Sequence, residues 1–281
     1  IGLHCINALL VYALTSLLLK HRAQAFFIAA LFAIHPLKVE SVAWISATST
    51  LMFSFFFLVA LWCYCRCIEV GNRRWYWLAL LAFTLGGFCK VQIIPFVGVL
   101  FLVDHLYERS VLNAKSLFEK LPFVIVALLF VAVTLHFRAG RSGFPGFDYD
   151  PLILVPNQFA WYGVKFIWPF DLGVVYDWPQ VPMGKWFYLS CCASVLSLWL
   201  LYGLRRNRLF VFGLLFYAFN IVLHTSLFSQ FLGPYADRYA YLSTLGLCIA
   251  GFALLNQRRV KTLCLPLTLV TVFYGVLAHG Q

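Results

Sequence analysis

ISATSTLMFSFFFLVALWCYC, residues 45 to 65, carries no charged side chain, and its reading decides the fold class. A helix rises 1.5 Å per residue, so about 20 apolar residues cross the ~30 Å hydrocarbon core of a bilayer. Lipid offers the backbone no hydrogen bonds, and a helix satisfies its own, so the run reads as a membrane helix rather than a barrel strand. Comparable runs stand at 2 to 19, 25 to 36, 75 to 89, 92 to 106, 121 to 137, 186 to 204, 209 to 229, 240 to 255 and 262 to 279. The expectation is an all-α, polytopic transmembrane helix bundle of about ten spans, one domain over residues 1 to 281.

Composition agrees with that class. Of 281 residues, 63% are apolar, 19% aromatic and only 11% charged, too little polar surface to cover a soluble globule of this size. The net charge of +11 does not point to nucleic acid, because the basic residues fall in short clusters between apolar runs. Lys20/Arg22, Arg66/Arg73/Arg74, Arg109/Lys115/Lys120, Arg205/Arg206/Arg208 and Arg258/Arg259/Lys261 occupy alternate connections. The positive-inside rule makes those connections cytoplasmic and places 37 to 44, 90 to 91, 138 to 185 and 230 to 239 on the outer or luminal side. Ile1 follows no Met or basic leader, so the sequence is expected to be an excerpt of a longer protein. The nine cysteines show neither zinc-ligand spacing nor a disulfide framework.

Both ends of 138 to 185 must emerge on the outer side, so its apolar piece LILVPNQFAWYGVKFIWPF crosses an even number of times or not at all. Lys165, with Pro151, Pro156 and Pro169 nearby, favours a re-entrant or interfacial element, which protein or a watery cavity must cover, and makes this segment the expected place for a binding cleft. This segment mixes Arg138, Arg141, Asp148, Asp150, Asp171 and Asp177 with Trp161, Tyr162, Trp168, Tyr176 and Trp178. Rings that stack on pyranose faces and carboxylates that accept hydroxyl hydrogens suit a sugar site, and equally describe an interfacial loop.

Three further stretches concentrate polar residues on the outer side. HPLKVESVAWIS at 35 to 46 brings His35, Lys38 and Glu40 there, either as a solvated turn with Trp44 anchored at the interface or as a polar cluster at a cavity mouth. Lys90, in GGFCKVQIIPF, is placed either to snorkel or to meet a phosphate. In GPYADRYAYLST at 233 to 244, adjacent residues of a helix point in different directions, so Asp237 and Arg238 need partners other than each other.

Taken in order, HPLKVESVAWIS, GGFCK with the span ending at Asp104, EKLPF at 119 to 123, KFIWPFDLGVVY at 165 to 176 and YADRYAYLSTLGL at 235 to 247 resemble one family. They are similar to the polytopic GT-C glycosyltransferase domain of tetratricopeptide-repeat-linked O-mannosyltransferases and their bacterial relatives, from residue 1 to about 256. The resemblance implies a bacterial inner-membrane or endoplasmic reticulum protein, in the lipid bilayer, that transfers a sugar such as mannose from a polyprenyl-phosphate donor to a protein or other acceptor on the periplasmic or luminal side. It implies donor-phosphate binding by Lys90 and Arg238, with Asp237 in a supporting network, Glu40 as a reserve acid, and His35, Lys165, Asp171, Tyr176 and Tyr239 around the substrate cavity. Relatives carry an earlier span and a large outer loop with an acidic pair, the expected catalytic base and metal or substrate anchor; residues 1 to 281 show no counterpart, and an enzyme is expected if that loop stands upstream of Ile1. After VAWIS, where many bacterial relatives continue with a charged run, this chain has ATST at 47 to 50. No metal ligand set is assigned, and a divalent metal is left open. The alternative is a non-catalytic, degenerate transferase-like subunit packed in a larger membrane complex. A transporter ranks third, because no paired half-repeats are visible.

Overall fold

A computed structural model describes residues 1–111, 113–138, 151–174, 176, 185–225, 235–255 and 264–279. Every regular element among them is helical. In chain order they are α1 Gly2–Leu19, α2 Arg22–Ile34, α3 Val39–Ala43, α4 Thr48–Val70, α5 Arg73–Cys89, α6 Phe96–Leu106, α7 Ala114–Arg138, α8 Pro151–Ile167, α9 Lys185–Gly203, α10 Arg208–Val222, α11 Ala240–Ala253 and α12 Cys264–His279. Four single 3-10 turns, Pro36–Lys38, Ile45–Ala47, Val91–Ile93 and Asp237–Tyr239, stand between them.

Each of the ten apolar runs carries a helix among the described residues, but the helices differ in length. Gly2–Leu19, Ile45–Val70 and Ala114–Phe137 are each long and apolar enough to cross a membrane. Arg22–Ile34 and Pro36–Ala43 make a fourth span if the pair, bent by 59°, is counted as one. The bend has a local cause. Pro36 has no N–H to continue the ladder and disfavours the α region at His35, whose backbone is extended at φ −65, ψ 130. The prolines do not split the 151 to 167 segment: α8 is one helix with Pro156 inside it. At 1.5 Å per residue it is about 25 Å long, short of the ~30 Å hydrocarbon layer.

Terminal chemistry fixes the other boundaries. Gly71, in the left-handed region at φ 71, closes α4, and the Asn72 side chain opens α5 by accepting the Arg74 N–H at 2.9 Å. Asn207 opens α10 in the same way through Phe210 N–H at 3.1 Å. In the core, phenylalanines join four helices. Phe57 of α4 and Phe96 of α6 meet edge to face at 5.0 Å, Phe96 stacks on Phe83 of α5, and Phe83 meets Phe123 of α7 at 5.5 Å. These rings are fully buried, whereas Leu128, Leu129, Val133, Leu135 and Phe137 of α7 are exposed. A lipid-facing stripe on the longest helix accounts for that exposure.

Candidate functional site

The site is assembled by two short segments far apart in the chain: 35–40 and 236–244. His35 Nδ1 accepts the Leu37 N–H at 3.2 Å, which starts the 3-10 turn at Pro36. Its Nε2 donates to the Phe166 carbonyl at 2.9 Å, and the ring stacks on Phe166 at 5.0 Å. The turn directs Lys38 and Glu40 at the start of α11. Lys38 Nζ donates to Tyr241 O at 2.6 Å, to Ala240 O at 3.3 Å and to Thr244 Oγ1. Glu40 Oε2 accepts the Arg238 backbone N–H at 2.6 Å, and its Oε1 accepts Arg238 Nη1 at 2.5 Å.

Those contacts answer what Asp237 and Arg238 pair with. Arg238 takes Glu40 and, through Nη1, the Val174 carbonyl at 3.2 Å, and its guanidinium lies 5.1 Å from the Trp44 ring and 5.0 Å from Tyr239. Asp237 instead accepts neutral donors, the Tyr176 hydroxyl at 2.8 Å and the Gly173 N–H at 3.0 Å. Burial, opposed by the Tyr176 hydrogen bond and reinforced by the charge of Glu40, pushes the Asp237 carboxyl up to about 7. His35, Lys38, Asp237 and Arg238 are all less than a tenth exposed, which excludes the solvated-turn reading of 35 to 46.

Glu40 and Asp237 face a cleft of about 680 Å³, walled by Pro36, Val39 and Trp44 on one side and Leu172 to Val174 on the other. Trp44 is 43% exposed at its rim. Lys90, the residue that ends α5, donates to Thr50 Oγ1 at 2.9 Å and lies over Phe53. Burial, and then the neighbouring charge of Arg238, bring its ammonium down to about 8. Tyr239 stacks on His224 at 4.2 Å, and His224 Nδ1 meets Gln92 Nε2 at 3.2 Å.

The expected site residues thus divide. Glu40, Asp237, Arg238 and Tyr176 form one connected network, with Lys90 and Tyr239 beside it. His35 holds the turn, and its ring nitrogens are both committed. Lys165 closes the end of its own helix by donating to the Phe170 carbonyl and to Asp171 O at 3.0 Å. Asp171 is exposed, in the left-handed region at φ 53, and supplies its carbonyl to Lys165 and Tyr176. Arg141, Asp148, Asp150, Asp177 and Trp178 lie outside the described residues. Among the described residues, no three His, Cys, Asp or Glu side chains converge to hold a metal ion. Sequence reasoning placed Lys38 only within a possible polar cluster at a cavity mouth and gave no site role to Thr50, Gly173 or His224, which are recognised by partners distant in the chain.

No protein-family model and no solved structure matches the chain. It is 24% identical over 278 residues to a curated protein O-mannosyl-transferase of Caenorhabditis elegans. The alignment covers 89% of this chain and 38% of the relative, so the chain spans well under half of that protein's length. The similarity supports a glycosyltransferase-like relationship for this chain.

Proposed function

We propose that this chain is the membrane-embedded part of a glycosyltransferase, a GT-C-like bundle in which all ten apolar runs cross the membrane. It moves a sugar, mannose being the candidate, from a polyprenyl-phosphate donor to a hydroxyl of a protein acceptor on the outer or luminal face. The observation that carries this reading is a buried Arg238 held by Glu40, whose carboxylate lines the cleft, with a second, half-buried cation, Lys90, close enough to feel the charge of both.

In the proposed reaction the acceptor oxygen bonds to the anomeric carbon as the bond from that carbon to the phosphate oxygen breaks. The hydroxyl proton passes to a carboxylate. The leaving phosphate gains charge, and cations preorganised at that point stabilise the transition state more than the bound donor. Arg238 offers a planar fork and Lys90 a point charge, both suited to phosphate oxygens. Glu40 acts by orienting Arg238 rather than as an acid, because both of its oxygens are already taken. Asp237 fixes Tyr176 and the 172 to 174 wall.

The test uses the full-length protein in proteoliposomes, with a polyprenyl-phosphate sugar and a Ser/Thr peptide. Lys90→Ala, which gives up a bond to Thr50 and the face of Phe53, and Arg238→Ala each lower kcat/KM for the donor by roughly 10- to 150-fold, equivalent to the ~1.5–3 kcal/mol of a hydrogen bond to a charged group. Arg238→Lys recovers part of the loss. Transfer at the normal rate by both Ala variants overturns the phosphate assignment. A full-length protein that enters a stoichiometric membrane assembly and transfers no sugar overturns the enzyme reading.

A further inference from the structure

One wall of the charged cleft is a single stripe of helical spacing. Pro36, Val39, Glu40, Ala43 and Trp44 stand at i, i+3, i+4, i+7 and i+8, which puts them on one face, and all five line the cleft. Four of them are apolar, and Glu40, the exception, is engaged by Arg238. Trp44 ends the stripe: its backbone is extended at φ −86, ψ 115 where α3 stops, and its N–H donates to the Glu40 carbonyl at 3.0 Å. Glu40 thus seats Trp44 through its main chain and the Arg238 guanidinium through its side chain.

That placement differs from an aromatic anchor turned to the membrane interface. The guanidinium of the buried Arg238 lies 5.1 Å from the Trp44 ring and covers part of it, yet Trp44 stays 43% exposed and lines the cleft. The other wall is polar, with Gly173, Val174 and the Asp237 carboxyl. Asp237 accepts one hydrogen from Tyr176 and one from Gly173, two of the roughly four that a carboxylate takes. An aromatic ring on one wall and spare acceptors on the other match a pyranose, which has an apolar C–H face and hydroxyls around its edge. The cleft, at about 680 Å³, is of the size that small-molecule sites have.

We propose that Trp44 is the stacking platform for the sugar of the donor, which lays its C–H face on the indole and turns its hydroxyls toward Asp237. This rests on the donor reading above. Arg238 commits the occupant to the donor sugar rather than the acceptor. The sugar is bonded to the phosphate, so a phosphate held by the guanidinium carries that ring to the indole beside it, whereas an acceptor chain has no such tether. Trp44 is then a specificity-determining residue: it distinguishes a phosphate that bears a pyranose from one that does not.

The experiment measures equilibrium binding of two ligands to the full-length protein in detergent micelles and needs no turnover. Both are phosphate diesters of the same short prenyl alcohol and carry equal charge; one bears mannose and the other a methyl group. The ratio of their Kd values is the readout, because any loss transmitted through Arg238 weakens both ligands alike and cancels. The wild type prefers the mannosyl ligand, and Trp44→Ala lowers that preference roughly 3- to 10-fold, the span of an aromatic stacking contact. Trp44→Phe, which keeps a ring, lowers it less. Trp44→Leu, apolar but ringless, matches the Ala variant and guards against a folding defect in it. Ringless variants that keep the full preference, or that weaken both ligands equally, overturn the proposal, as does a wild type indifferent to the sugar. Arg238→Ala separates this from the donor reading. If it weakens both ligands while the ringless Trp44 variants keep the preference, the phosphate site stands and the platform falls. If it binds both as the wild type does, the phosphate site is refuted and the platform falls with it.

Discussion

Glu40 and Arg238 stand 198 positions apart and make the site's central contact, two hydrogen bonds between buried groups. A buried pair adds little over an apolar one, but removing one partner strands the other charge. Glu40→Ala is therefore expected to lower stability by roughly 3–5 kcal/mol, and Glu40→Gln, which keeps one acceptor, by less; thermal unfolding in detergent measures both. Asp237 adds a pH dependence of predictable sign. Its carboxyl titrates at about 7 in the folded protein, above the ~3.9 of an unfolded chain, so the folded state holds a proton that the unfolded chain has released. Its contribution is complete below about pH 4 and is lost as pH rises through about 7. Asp237→Asn removes that segment of the stability–pH curve; an unchanged slope between pH 4 and 7 refutes the assignment.

Between elements, α10 and α11 pass backbone against backbone. A Cβ added to Gly213 would stand 2.5 Å from Ala250 N and 2.6 Å from Gly246 O, and one added to Gly246 would stand 2.4 Å from Gly213 O. Backbone cannot retreat as a flexible side chain does. Gly246→Val is expected to cost about 3 kcal/mol, the upper end for overpacking, and to move Arg238, seated just before α11, away from Glu40. Loss of donor binding greater than in Gly251→Val, at a glycine with nothing within 4 Å, checks it. At the start of α7, charges that topology counting assigns to a loop are partly buried. Lys120 and Ser116 both reach Asp104 Oδ2, and Arg109 bridges Asp104 Oδ1 at 3.0 Å to Glu119 at 2.6 Å. The sequence marks Asp104 and EKLPF as motifs, but their convergence requires α6 and α7 to pack.

Across the whole molecule, hydrogen bonds sort the connections into two ends. Tyr107 meets Glu69, Arg208 meets Glu108, Asn207 meets the Ala253 carbonyl and Gln24 the Leu255 carbonyl, which gathers the basic connections together. The contacts of His35, Glu40, Gln92 and Tyr176 gather the others at the site. An impermeant thiol reagent on intact cells is expected to label Trp44→Cys and not Asn207→Cys, in proteins otherwise free of cysteine; the reverse pattern inverts the topology. Helical class and this alternation of ends were legible in the sequence, because apolar run length and the placement of Lys and Arg respond to the bilayer, a solvent that acts on each segment separately. The need of Asp237 and Arg238 for outside partners was legible too, from the geometry of adjacent residues. Who those partners are was decided only by the tertiary structure. Glu40 for Arg238, Tyr176 and Gly173 for Asp237, and the α11 carbonyls for Lys38 meet across long loops of chain, and no local period in a sequence encodes a contact whose two halves are brought together by the packing of other helices.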